Sequence, residues 1–104
     1  GSITFPEAVF NQLGYQLINQ GQLEDAITIM RLNAEAYPNS ANCWDSYADA
    51  CLAAQDTAMA RTCYETVLKV LPDDQNLGAD LINTLTTNAN NFLNPSSTIE
   101  ENLE

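Results

Sequence analysis

Slid along itself by one fixed offset, the chain meets its own pattern again. Phe10 falls on Trp44, Leu13 on Tyr47, Gly14 on Ala48 and Leu17 on Cys51. Farther along, Ala26 falls on Ala60, Met30 on Tyr64 and Pro38 on Pro72. Large apolar residues meet large apolar residues, small meet small, and proline meets proline. A period of about 34 residues marks an array of supersecondary units, each too small to bury its own apolar face and each covered by its neighbour. Inside each unit the apolar residues recur every three or four positions, the spacing of a helix face. The expected fold class is therefore all-α, with about five helices in the 104 residues.

Start and stop signals divide the units. Thr4 and Glu7 form a capping box for the first helix, with Pro6 tolerated in its first turn. Phe10, Leu13, Leu17 and Ile18 make its stripe, and Gly21 ends it in the left-handed conformation a helix terminus favours. Leu23, Ala26, Ile27 and Met30 stripe the second helix, where small Ala26 and Gly14 allow close approach. Tyr37-Pro38-Asn39-Ser40 stops that helix, and Ser40 caps the third, which carries Trp44, Tyr47, Ala48, Cys51 and Leu52. Asp56 caps the fourth, with Met59, Ala60, Cys63, Tyr64 and Val67 inward and Lys69 in the last turn, where a cation suits the helix dipole. Leu71-Pro72-Asp73-Asp74 closes the unit and is expected to cap the next helix. That fifth helix is expected from about Gln75 to Leu93, striped by Leu77, Leu81, Leu85, Ala89 and Phe92 or Leu93. Residues 95–104 read as a disordered acidic tail, and Gly1-Ser2 as a cloning scar.

The pattern Phe10-x-x-Leu13-Gly14-x-x-Leu17, Ala26-x-x-x-Met30, Pro38 resembles the tetratricopeptide repeat family. So does Trp44-x-x-Tyr47-Ala48-x-x-Cys51, Ala60-x-x-x-Tyr64, Pro72. Leu17 and Cys51 depart from the family's tyrosine, and Met30 and Tyr64 from its phenylalanine. The resemblance implies a right-handed α-solenoid of antiparallel helix pairs, with units at 3–40 and 41–74 and a C-terminal capping helix at 75–94. It also implies a concave binding face lined by the first helix of each unit. By register that face takes Asn11, Tyr15 and Ile18 from the first unit, Asn42, Asp45, Asp49 and Leu52 from the second, and Asn83 from the capping helix. Tyr15, Asp49 and Asn83 stand in one row, each a full period from the next. Family members that grip a C-terminal carboxylate use lysine, arginine and asparagine. This face carries two aspartates and neither cation, which points to a neutral or basic peptide or protein segment. Trp44, Tyr47 and Tyr64 fall on packing positions, so they are expected in the core rather than on a ligand.

Charge and missing residue types narrow the function. Three Lys+Arg against fourteen Asp+Glu give a net charge of −11, and the pI is near 4.1. Polyanions are repelled, so neither nucleic acid nor an anionic membrane surface is an expected partner. No histidine is present, which removes imidazole acid–base catalysis, Ser-His and Cys-His pairs and most zinc sites. Asp45 and Asp49 lie four apart on one helix face without the spacing of a calcium loop, so they read as solvated or partner-facing surface. The expectation is a binding module, not an enzyme, with no cofactor and no metal. Cys43, Cys51 and Cys63 form no C-x-x-C pair and read as reduced core residues, in keeping with a cytoplasmic setting. Two units make a short stack, so either the capping helix suffices or a further surface, a second copy in a homodimer or the rest of a longer chain, covers an open end. The stretch 32–47 resembles repeats at the C-terminal end of some bacterial serine hydrolases and esterases, which makes a docking or self-association domain the alternative.

Overall fold

The computed structural model describes residues 7–74 and 77–95. The capping role expected of Thr4, the scar at 1–2 and, apart from Pro95, the tail at 95–104 lie outside the described residues. Five α-helices occur in order: α1 (Glu7–Asn19), α2 (Leu23–Ala36), α3 (Ala41–Ala53), α4 (Thr57–Val70) and α5 (Ala79–Leu93). One 3-10 turn, Leu71–Asp73, sits between α4 and α5, and no strand occurs among the described residues. Each helix packs on the next, and α3 also touches both α1 and α5.

The expected local signals operate. Ser40 Oγ accepts from Cys43 N at the start of α3, and Asp56 Oδ1 accepts from Met59 N at the start of α4. Each satisfies an N–H that the first helical turn leaves without a partner. Gly21 has φ +77, the left-handed value that ends α1. Gln55, at the matching place after α3, has φ +65 although it is not glycine.

The repeat spacing extends to individual hydrogen bonds. Gln22 N donates to Leu17 O and Asp56 N to Cys51 O, at 2.9 and 2.8 Å. Gly21 N donates to Ile18 O and Gln55 N to Leu52 O, both at 3.0 Å. Within each repeat the end meets the start: Ser40 Oγ donates to Glu7 Oε2 at 2.7 Å, and at the matching positions Ala41 N donates to Asp74 Oδ2 at 3.0 Å. Asp74 therefore serves the start of α3, not the start of the fifth helix as the sequence implied. Asn33 Nδ2 donates to Glu7 O at 3.1 Å, which sets the end of α2 beside the start of α1.

The core lies around α3 and α4. Ala48, Ala50, Cys51, Ala60, Cys63 and Val67 are fully buried, and Tyr47 and Tyr64 nearly so. Burying side chains of this size contributes about 1.5–3 kcal/mol each for the larger ones. Trp44 is half-buried against this core, and its Nε1–H donates to Pro38 O at 2.9 Å. A Cβ on Gly14 would lie 2.5 Å from Met30 Cε and Sδ, so α1 and α2 approach closely there and a side chain at this position would have to displace the end of Met30.

The fifth helix differs most from expectation. It begins at Ala79, after Gly78 in an extended conformation, rather than at about Gln75. It buries Leu85 and Ala89 and leaves Leu81 and Ile82 exposed. Phe92 packs on Tyr64 with ring centroids 5.1 Å apart, and the Arg61 guanidinium lies 5.7 Å from the Phe92 ring centre. Ala89 is fully buried, and Asn88 beside it is the residue that reaches α3.

Candidate functional site

The residues drawn from α1 and α3 converge; those drawn from α5 do not. Tyr15 on α1 and Asp49 on α3, one period apart in sequence, are joined directly through the phenol and Asp49 Oδ2. The same hydroxyl lies 3.2 Å from Ser46 Oγ. A phenol carries one proton, so when Asp49 takes it the serine hydroxyl supplies its own in return. One turn before Asp49, Asp45 Oδ1 accepts from Asn88 Nδ2 on α5 at 3.3 Å. The polar strip thus runs from α1 through α3 to α5.

Burial is the surprise. Asp45 is only 6% exposed, and Ser46 is buried beside it. The sequence reading of Asp45 as solvated surface is corrected by this packing, since α5 lies over it. Desolvation raises the Asp45 carboxyl to about 6, the nearby Asp49 charge pushes the same way, and the Asn88 hydrogen bond opposes both. Asp49 is raised by desolvation as well, while the bond from Tyr15 lowers it. Burial, then the bond to Asp49, push the Tyr15 phenol up. No lysine or arginine contributes to the shift of either carboxylate.

The remaining candidates are placed more loosely. Asn11, Ile18, Asn42 and Leu52 are partly buried on α1 and α3. Asn11 Oδ1 is buried without a hydrogen-bond partner. Asn83 is exposed on α5 and does not complete the row of Tyr15 and Asp49; Asn88 is the α5 amide that reaches α3. Sequence reasoning missed Asn88. The signal for it was its spacing, three residues after Leu85 on the flank of the apolar stripe.

Compared with family models, curated proteins and solved structures, the chain matches none.

The chemistry of the site therefore rests on its own residues. Among the described residues no cluster of three or more His, Cys, Asp or Glu is arranged to hold a metal ion. Burial pushes all three thiols up, Cys43 to about 12, so none is a thiolate at neutral pH. What the strip offers is hydrogen bonding and negative charge. A separate cleft of about 540 Å³ opens at the starts of α1 and α3, between Glu7, Tyr37, Ser40, Asn42, Asp74 and Leu81. Of the candidate residues only Asn42 lines it. Among the described residues no helix is long and apolar enough to cross a membrane.

Proposed function

We propose that the chain is a protein–protein interaction module of the tetratricopeptide type. In this reading α1 with α2, and α3 with α4, are antiparallel pairs wound as a right-handed solenoid, α5 covers the second pair, and α1, α3 and α5 line the binding face. The bound segment is a neutral or basic peptide. One observation carries the reading. Tyr15 and Asp49, at equivalent positions of two units, meet side by side, as neighbouring units of a stack require. The face they define presents Asp49, which is only partly buried and is matched by no cation. A lysine or arginine on a partner would supply the missing charge, with Asn11 and Asn42 offering amides to its backbone.

The test is chemical-shift mapping with two peptide sets of equal length, one lysine- and arginine-rich and one glutamate-rich. The basic set should perturb amides of α1, α3 and α5. Asp49→Asn, which removes the charge at a position less buried than Asp45, should weaken that binding at least tenfold. Perturbation confined to α2 and α4, or preference for the acidic set, would sink the proposal.

A docking or self-association domain is the second reading, favoured by a specific feature. Val9 and Leu13 on α1 and Leu32 on α2 are large apolar side chains left exposed on the first helix pair. In that reading a second copy, or the neighbouring part of a larger protein such as a bacterial serine hydrolase, covers them. Light scattering across a concentration series separates the two, because only the second requires a dimer or a missing flank.

A further inference from the structure

Helix α5 packs on α4, and its attachment to α3 is slight. It buries two residues, stacks Phe92 on Tyr64, and reaches α3 through the side-chain hydrogen bond from Asn88 to Asp45. That bond ends on a carboxylate sealed almost completely from water, one helical turn from a second carboxylate. A charge held there loses its hydration and gains only one amide in return.

We propose that Asp45 is a proton-operated latch for α5: the protonated carboxyl lets the helix seat on α3, and ionisation favours its release. Undocking would return water to the carboxylate, which is the free-energy difference that couples the proton to the helix. The inference holds whichever face binds a partner. Groups facing Asp45 come from four elements: Tyr15 from α1, Asp49 from α3, Tyr64 from α4 and the uncharged Asn88 from α5. None of them brings a positive charge. On α2, Arg31 and Glu35 act on Tyr47 and not on Asp45. The carboxyl's rise from 3.8 to about 6 agrees with this geometry.

The test uses the unaltered chain and two variants. The Asp45 carboxyl carbon is titrated by NMR, and exchange of the α5 amides, corrected for intrinsic rates, is followed from pH 5.0 to 7.5. Expected are a midpoint near 6 and about a tenfold rise in opening of α5, absent in Asp45→Asn. Asn88→Ala should move the midpoint upward and loosen α5 already at pH 5.0, which keeps the test usable should Asp45→Asn not fold. A midpoint near 4, a rise kept in Asp45→Asn, or a rise shared equally by α3 and α4 would overturn the latch.

Discussion

Helices α1 and α3 occupy matching places one repeat period apart, yet their fates differ. Eight of the thirteen residues of α3 are buried, against one, Gly14, of the thirteen of α1. Val9 is 52% exposed where its counterpart Cys43 is 1% exposed. Leu13 is 38% exposed where Tyr47 is 5% exposed. The helical pattern is the same in both, so pattern alone does not decide burial. Position in the helix array does: α3 has α1 on one side and α5 on the other, while α1 has α3 alone among its odd-numbered neighbours. An end helix inherits the stripe of an interior one without the partner that would cover it.

The sharpest way to break this comparison is to truncate matching residues. Tyr47→Ala should cost about 3–5 kcal/mol, the range for removing a buried ring. Leu13→Ala should cost under about 1 kcal/mol. Denaturant melts of both variants check this, and equal losses would refute the dependence on position.

A second contrast sets Asp45 against Asn11, the amide that already stands at the matching place in the first unit. Asp45 titrates at about 6 in the folded chain, against 3.8 without the fold. Between those values the folded state holds more protons than the unfolded one, so stability falls as pH rises through 6. The full penalty, present above that midpoint and absent below 3.8, is roughly 2–3 kcal/mol. Asp45→Asn should therefore stabilise the chain by about 2 kcal/mol at pH 7.5 and flatten its profile between pH 5 and 7.5. A thermal melt series across that window reads both effects.

The smallest contrast is between the two turns. Gly21 and Gln55 hold the same left-handed conformation, and only the glycine holds it without strain. Gln55→Gly should add about 1 kcal/mol of stability, and Gly21→Ala should remove about as much. If both changes moved stability in one direction, the equivalence of the turns would fail.

Much of the scaffold was legible because its signals are local. Ser40 and Asp56 cap the helices expected of them, Gly21 takes the positive φ, and Tyr47, Tyr64 and the three cysteines lie inside. The pairing of Tyr15 with Asp49 came from the period. Asp45 was misread because aspartate is almost never buried without a cation, and nothing local to it says that α5 will lie above. That placement depends on the register of α5. The register escaped because Leu81, Leu85, Ala89 and Phe92 share one helix face, and the stripe does not say which of its turns meets Asp45. Gly78 delays the start of the helix, and the deeper half of the stripe becomes the inward one. Asp74 was likewise read as a cap for the helix after it, whereas it reaches back to Ala41 at the start of α3, a contact that exists only once α3 and α4 have packed.

The most direct measurement of the central claim is residue-resolved native-state amide exchange at one pH on the unaltered chain. Position in the array predicts the highest protection in α3 and α4, with α1 and α5 exchanging through lower-energy openings. Protection that is uniform along the chain, or greatest in α1, would contradict it.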